Sequence, residues 1–294
     1  MAPHPTLQNS HGTQPKVTLD DVFPEGIVAI DYADEARTLL IGTGSGSLVL
    51  LNGQGDQVRR EMGYEGIRFL RWCHTGQFGV VALEDGSLIC FDSTLKRRWS
   101  VRFTGDIVGL AINAFGSHIA VCSQDGRVHI VTTDKKEVCR FDATRPLQYL
   151  HFLNDEPVLI GAAEFGHLCS HTLSGQEQWN ERIANNVGGM AVTACGKRIL
   201  LAAFNHGVQL MTRNGKHKGA FMVDGIPSFV AVSANKQRIA VTTIESRVYW
   251  MNFSGDLLWA CDMSVDPPAS IAVGPLGDRL FVATQSGRLL LLCW

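Results

Sequence analysis

The feature that most constrains the fold is an apolar position that recurs about every 40 residues along the chain. The successive spacings are 40 residues five times and 41 residues once. This position is occupied by Leu48, Leu88, Val128, Leu168, Val208, Val248 and Leu289. Two residues earlier, the chain carries a turn position at Gly46, Gly86, Gly126, Gly166, His206, Ser246 and Gly287. Seven copies of a unit of this size indicate a repeat fold.

Each repeat contains the pattern of four short strands. In the third repeat, apolar runs at 107–112, 118–122 and 128–130 and a mixed run at 137–141 are separated by turn residues. Short strands at this spacing are typical of all-β proteins. The first strands keep one register, since Ile30, Leu70, Leu110, Leu150, Met190, Val230 and Ile271 occupy the same repeat position.

Many strands are apolar on both faces, as in the run Leu48–Leu51. Such strands are buried on both faces, and sheets packed between neighbouring sheets satisfy that need. Four-stranded antiparallel units repeated radially form a β-propeller. The sequence therefore predicts an all-β, seven-bladed β-propeller of four-stranded antiparallel blades.

The two ends of the repeat region predict how the last blade is completed. The seventh repeat stops at Trp294 after three strands, whereas Lys16–Val22 is an alternating strand that precedes the first repeat. We expect this N-terminal strand to complete the seventh blade and close the ring. We expect residues 1–14 to be a flexible leader and 15–294 to be a single propeller domain. The predicted blades are 24–63, 64–103, 104–142, 143–183, 184–223, 224–263, and 264–294 together with 15–22.

Three sequence features resemble those of the WD-repeat propellers and their quinoprotein-like relatives. The first is the Asp-Gly turn, at Asp85-Gly86 and Asp125-Gly126. The second is a polar residue ending the third strand, at Asn52, Asp92, Thr132, Thr172, Thr212 and Asn252. The third is a tryptophan at one fourth-strand position of alternate repeats, at Trp99, Trp179 and Trp259. The resemblance is at the level of the fold.

Composition narrows the classes of function. The net charge is −2 and charged residues make up 18% of the chain, so there is no strong bias towards nucleic acid or membrane surfaces. No apolar run approaches the ~18 residues of a membrane span. The eight cysteines form no Cys-x-x-Cys pair and several lie in apolar strands. Free buried thiols suit a reducing compartment, so we expect a cytoplasmic protein.

Catalytic and metal-binding patterns are weak. The glycine-rich run 42–46 lacks the Gly-Lys-Ser/Thr ending of a phosphate loop and precedes a strand. Cys73-His74 lacks the spacing of a zinc site. Asp31 and His151 occupy first-strand positions where other repeats carry Ala111, Ala191, Ala231 and Ala272, with Arg71 at the same register. They are the candidates for an enzyme of the quinoprotein-like or lactonase-like kind, or they are polar contacts between blades. We expect no cofactor and no metal.

Acidic residues are the one feature of possible functional meaning that recurs over most of the repeats. In an antiparallel blade, the loop that leads into the first strand and the turn between the second and third strands lie on one side, which we name the loop face. These loops carry nine acidic residues: Glu65, Glu84, Asp85, Asp106, Asp125, Glu164, Asp224, Glu245 and Asp266. Arg145 is the one basic residue counted on them, and Phe165, Phe204, Asn205 and His206 supply further contact side chains.

The predicted function is a non-catalytic scaffold that binds a basic protein partner through this acidic loop face. The predicted contact residues are Glu65, Glu84, Asp85, Asp106, Asp125, Arg145, Glu164, Phe165, Asn205, His206, Glu245 and Asp266. A plainer interpretation is that Asp is a common turn residue.

Nucleic acid is a weaker alternative. The opposite face carries Lys96-Arg97-Arg98, Lys135-Lys136, Lys197-Arg198, Arg213, Lys216, Lys218, Lys236 and Arg238, interspersed with acids. Phosphate binding favours a denser positive patch.

Overall fold

The structure, a computed structural model, describes residues 4–234 and 238–294. These residues form seven antiparallel sheets, six with four strands and one with five, and no helix. The fold is a seven-bladed β-propeller, so the predicted fold class is confirmed. The chain divides into two compact units, Val28–Ile183 and the residues up to Ile27 together with Ala184–Trp294.

The unit Val28–Ile183 contains blades 1 to 4, and each blade follows the strand order of the sequence. Blade 1 consists of β3 (Ile27–Ala33), β4 (Thr38–Thr43), β5 (Leu48–Leu51) and β6 (Gln57–Glu61). Blade 2 consists of β7 (Ile67–Trp72), β8 (Phe78–Leu83), β9 (Ser87–Asp92) and β10 (Arg97–Arg102). Blade 3 consists of β11 (Ile107–Ile112), β12 (His118–Ser123), β13 (Arg127–Thr132) and β14 (Glu137–Asp142). Blade 4 consists of β15 (Tyr149–Phe152), β16 (Val158–Ala163), β17 (His167–Thr172) and β18 (Glu177–Arg182).

The other unit contains blades 5 to 7. Blade 5 consists of β19 (Val187–Val192), β20 (Arg198–Ala203), β21 (Gly207–Thr212) and β22 (His217–Phe221). Blade 6 consists of β23 (Pro227–Val232), β24 (Ile239–Thr243), β25 (Arg247–Met251), β26 (Leu257–Asp262) and an added strand, β1 (Gln8–Gly12). Blade 7 consists of β27 (Pro268–Val273), β28 (Arg279–Thr284), β29 (Arg288–Cys293) and β2 (Lys16–Val22).

The recurring turn position has a physical cause in the backbone. Gly86 and Gly126 adopt φ angles of 80° and 86°, which are in the left-handed region that glycine enters at no steric cost. Ser246 keeps this conformation with φ 65°. In blade 5 the repeat position is His206, and the next residue, Gly207, takes the left-handed conformation with φ 66°. The tight turn is therefore retained, shifted by one residue.

Second and third strands of the blades are apolar and covered on both faces. All four residues of β5 and all six residues of β16 are buried. Apolar clusters join neighbouring blades of one unit, as where Val80 and Leu88 of blade 2 pack with Leu110 and Ile119 of blade 3.

Aromatic rings reinforce the same packing between blades. A ring at or just beyond the fourth strand of one blade meets a ring of the next blade's third-strand region. The pairs and their centroid separations are Tyr64–Phe91 (5.8 Å), Phe103–His129 (5.1 Å), Phe141–His171 (4.0 Å) and Phe221–Phe253 (6.4 Å). Contacts of this kind add about 0.5–1.5 kcal/mol beyond the burial of apolar area.

The N-terminal strand β2 completes blade 7, as predicted. It pairs antiparallel with β29 from Lys16↔Cys293 to Val22↔Arg288. Phe23 continues the contact, because its N–H donates to the Gly287 carbonyl at 2.8 Å. The indole N–H of Trp294 donates to the Thr13 carbonyl at 2.7 Å, which joins the two ends of this unit.

The expectation of a flexible leader over 1–14 needs correction. Gln8–Gly12 forms β1, a fifth strand that pairs with β26. Leu7 is buried in the apolar cluster of blades 6 and 7, and Ser10 accepts a hydrogen bond from the indole N–H of Trp259 at 2.7 Å. The sequence of β1 is polar and does not predict a strand, because β1 is held by backbone pairing with β26 rather than by an apolar face of its own. Residues 1–3 lie outside the described residues.

Removal of β2 tests its role in blade 7. We expect a variant lacking residues 1–22 to be less stable than the full chain by several kcal/mol, because several ladder hydrogen bonds worth about 1 kcal/mol each disappear and β29 becomes an edge strand. A variant lacking residues 1–14 keeps β2 and should lose less. Urea unfolding followed by tryptophan fluorescence measures both. Equal midpoints for the 1–22 deletion and the full chain would contradict the assignment.

Candidate functional site

Backbone hydrogen bonds join the loops of the predicted loop face in pairs, as blades 2, 3 and 6 show. In blade 2 the N–H of Glu84 donates to the Gly66 carbonyl at 2.8 Å, and in blade 3 the N–H of Gln124 donates to the Asp106 carbonyl at 2.9 Å. In blade 6 the N–H of Ile244 donates to the Ile226 carbonyl at 2.9 Å. The loop before the first strand therefore lies beside the turn between the second and third strands.

The predicted contact residues are distributed over both units. The unit Val28–Ile183 carries eight of them on its loops: Glu65, Glu84, Asp85, Asp106, Asp125, Arg145, Glu164 and Phe165. The other unit carries the remaining four: Asn205, His206, Glu245 and Asp266. Within each unit the residues share the loop side of their blades.

Several of the acids shape the turns that hold them. Asp85 accepts hydrogen bonds from the N–H and hydroxyl of Ser87 at 2.9 and 3.0 Å, and these bonds lower the pKa of its carboxyl. Asp125 accepts from the N–H of Arg127 at 3.0 Å. Asp266 is buried and accepts from the hydroxyls of Thr284 and Ser286 at 2.8 and 2.7 Å. Turn chemistry accounts for these carboxylates.

Arginines on neighbouring strands lie close to four of the acids. Arg68 lies 3.5 Å from Asp106, and Arg127 lies 3.9 Å from Asp125. Arg247 pairs with Asp224, and Arg288 lies 3.8 Å from Asp266. Counting the loops alone, with Arg145 as the one base, therefore overstated the negative charge. The signal was available in the sequence, because Arg127, Arg247 and Arg288 each directly follow the recurring turn position.

Three glutamates of blades 1, 2 and 4 differ from these acids. Among the described residues 4–234 and 238–294, the side chains of Glu65, Glu84 and Glu164 form no hydrogen bond or ion pair. Phe165 follows Glu164 and is 59% exposed, and Met62 precedes Glu65 and is 68% exposed. This unit therefore presents unpaired carboxylates close in sequence to exposed apolar side chains.

Asp31 acts as a contact between two blades. Its Oδ2 atom accepts the N–H of Trp72 at 2.7 Å, which joins β3 of blade 1 to β7 of blade 2. Its Oδ1 atom accepts the N–H of Tyr32 at 3.2 Å. Burial raises the pKa of Asp31, and the charge of Arg71 acts in the opposite direction. These contacts agree with the structural interpretation of Asp31.

His151 is neutral at physiological pH. Burial lowers the pKa of its imidazole to about 3, with further lowering by the charges of His74 and Arg71. His74 lies 3.9 Å from Asp34, a carboxyl whose pKa is raised by burial and lowered by His74. Asp31, Asp34, Arg71, His74 and His151 thus form one polar group near the first strands of blades 1, 2 and 4.

The basic residues of the opposite face are partly engaged in packing. Arg97 donates to the Gly63 carbonyl at 3.1 Å, and Lys135 donates to the Ser100 carbonyl at 3.0 Å. Arg98 lies 3.5 Å from Asp134. Lys236, which belongs to the same predicted set, lies outside the described residues.

The part of the chain that the structure describes contains no group of three or more His, Cys, Asp and Glu side chains that could hold a metal ion. It contains no helix of the length and apolarity needed to cross a membrane. A scan against protein-family models finds no match, and a search of curated proteins finds no significantly similar sequence.

The contact between Asp31 and Trp72 gives one test. We expect Asp31→Ala to destabilise the protein by about 1–3 kcal/mol, since the N–H of Trp72 loses its partner. Asp31→Asn keeps an acceptor oxygen and should cost less. Chemical denaturation of both variants measures the difference, and equal losses would show that the acceptor is unimportant.

The lowered pKa of His151 gives a second test. The folded-state pKa of about 3 lies below the ordinary histidine pKa of 6.5, so protonation favours the unfolded chain. Stability should fall as pH decreases from about 6.5 towards 3, by up to about 1.4 kcal/mol per pH unit from this residue. We expect His151→Gln to show a shallower decline in unfolding free energy between pH 6.5 and 4. His206→Gln, at an exposed position, is the control. Parallel pH profiles for the full chain and His151→Gln would contradict the assignment.

Proposed function

We propose that this β-propeller is a non-catalytic interaction platform that binds a basic protein partner through the loop face of blades 1 to 4. The observation that carries the proposal is the set of unpaired glutamates, Glu65, Glu84 and Glu164, close in sequence to exposed Met62 and Phe165. Asp85, Asp106 and Asp125 contribute negative potential while they shape or balance their own loops.

The chemistry of these residues fits a basic partner. Carboxylates without an internal partner, here the exposed Glu65 and Glu84 and the half-buried Glu164, attract Lys and Arg side chains and accelerate association. Exposed aromatic side chains such as Phe165 are frequent anchors of protein interfaces. Arg145 would contribute to the orientation of the partner rather than to its attraction.

The loops are supported by the blades beneath them. The Glu84–Gly66 and Gln124–Asp106 backbone hydrogen bonds tie neighbouring loops together. Hydrogen bonds from the Ser87 N–H to Asp85 and from the Arg127 N–H to Asp125 fix the turns. Binding residues on loops held by a rigid scaffold are a common arrangement, because little conformational entropy is lost on binding.

In this proposal the chain is a WD-repeat-like scaffold of a reducing compartment, the cytoplasm. All eight cysteines are free thiols, and five of them are buried. The enzyme alternative has less support, since Asp31 is occupied by the N–H groups of Trp72 and Tyr32. Arg71 likewise donates to the Leu70 carbonyl at 2.8 Å.

Charge reversal tests the proposal. The triple variant Glu65→Lys, Glu84→Lys and Glu164→Lys should lower recovery of a basic partner from native lysate by about tenfold or more, equivalent to about 1.4 kcal/mol. Its thermal midpoint should match that of the unsubstituted protein, because these side chains have no internal partner. Quantitative mass spectrometry after affinity capture provides the measurement.

The matched control carries the same charge change on the opposite side of the same unit. Glu35, Asp134 and Glu137 lie at or near the other ends of the strands and are exposed. Asp134 lies 3.5 Å from Arg98 and Glu137 lies 3.4 Å from His129, so the thermal midpoint of this variant is measured together with its recovery of the partner. Their triple replacement by Lys should leave recovery of the partner unchanged. Equal recovery by both triple variants, or loss by both, would count against an acidic binding face.

A further inference from the structure

A second surface, separate from the loop face of blades 1 to 4, lies on blade 6. It is a cavity of about 500 Å³ lined by β25, β26 and β1, and by the residues that follow β22 of blade 5. Binding pockets commonly have volumes of about 300–1,000 Å³. The cavity belongs wholly to the unit that contains blades 5 to 7.

The fifth strand explains why the cavity exists. β1 extends blade 6 beyond its fourth strand, whereas blade 5 ends at β22. The part of blade 6 formed by β26 and β1 is therefore wider than the edge of blade 5 that faces it. Met222 and Val223, directly after β22, form the wall on the blade 5 side.

The floor consists of three rows of side chains across the strands. Tyr249, Ala260 and His11 form the central row through the pairs Tyr249↔Ala260 and His11↔Ala260. Ala260 is the small residue of this row, so the surface is lowest between the larger Tyr249 and His11. The cavity is thus a trough that follows the direction of β25.

The two ends of the trough differ in chemistry. One end has the pair Arg247↔Asp262 together with Asp224, which amounts to two carboxylates against one guanidinium. Asp224 pairs with Arg247, and Asp262 accepts the N–H of Ser264 at 2.8 Å. The other end has Met251 and Leu257, which pair across the strands.

Exposed apolar side chains mark the trough as well. Met222 is 73% exposed and Leu257 is 45% exposed, although both line the cavity. Methionine side chains are adaptable and polarisable, which favours contact with partners of varied shape. A molecule bound in the trough would cover Met222 and Leu257 and would also reach Asp224 and Asp262.

We propose that the trough binds an extended peptide segment of another protein, with a basic residue at the Asp224–Asp262 end and an apolar residue at the Met251–Leu257 end. Arg247 and Met251 are four strand residues apart, a span of roughly 13 Å at about 3.3 Å per residue. An extended peptide with its two anchors four residues apart has the same span, and a residue midway between them lies over Ala260.

A displayed library of random heptapeptides tests this proposal on the full chain. We expect selected peptides to share Lys or Arg at one position and Leu, Ile, Met or Phe four positions away. Selection of no common sequence, or of acidic peptides, would overturn the proposal. A selected peptide is then labelled and its dissociation constant measured by fluorescence anisotropy.

Two variants of the trough should raise the dissociation constant of that peptide by about tenfold or more. They are Met222→Asp, which changes the apolar wall, and Asp224→Lys, which reverses the charge at the acidic end. Phe115→Asp is the matched control, because Phe115 is 61% exposed but lies in blade 3, away from the trough. Replacing the basic residue of the peptide by Glu should weaken binding to the unsubstituted protein and restore part of it for Asp224→Lys.

The triple variant of the loop face distinguishes peptide binding in the trough from binding to the loop face of blades 1 to 4. Glu65→Lys, Glu84→Lys and Glu164→Lys together should leave the affinity of the selected peptide unchanged. Unchanged affinity for Met222→Asp and Asp224→Lys, or an equal loss for Phe115→Asp, would show that the peptide binds elsewhere and would overturn the proposal.

Discussion

The need to cover both faces of every sheet is the constraint on which this structure depends. Third strands such as β5 and β29 place apolar residues on both sides, and nearly all of these residues are buried. A free-standing sheet of this composition would expose one face to water. Packing against the next blade removes this apolar area from water, which stabilises the fold by about 25 cal/mol per Å² buried. Ring pairs such as Phe141–His171 fill the space between blades.

The same constraint explains where polar side chains appear within the packed region. Asp31 lies on the first strand of blade 1, where it accepts a hydrogen bond from the Trp72 N–H of the neighbouring blade. His151, on the first strand of blade 4, is a neutral imidazole because burial lowers its pKa to about 3. Asp31 is therefore explained by a hydrogen bond between neighbouring blades.

The two binding surfaces that we propose both depend on departures from the repeat. On the loop face, the carboxylates that serve turns or pair with arginine differ from Glu65, Glu84 and Glu164, which have no such partner in the described part of the chain. On blade 6, the additional strand β1 widens one sheet and leaves the trough lined by Tyr249 and Met222. The proposed binding surfaces are therefore found where one blade differs from the next.

The sequence by itself determined the number of blades, the turn positions and the place of β2, because periodic apolar residues and left-handed glycines are local requirements that repeat. It did not reveal β1, since the residues Gln8–Gly12 have no apolar alternation and are held by the edge of β26. It also misjudged the charge of the loop face, because Arg68, Arg127, Arg247 and Arg288 reach the loops from adjacent strands. Only the tertiary structure decides which charges are paired and which surfaces stay open, as both depend on distances between residues far apart in the chain.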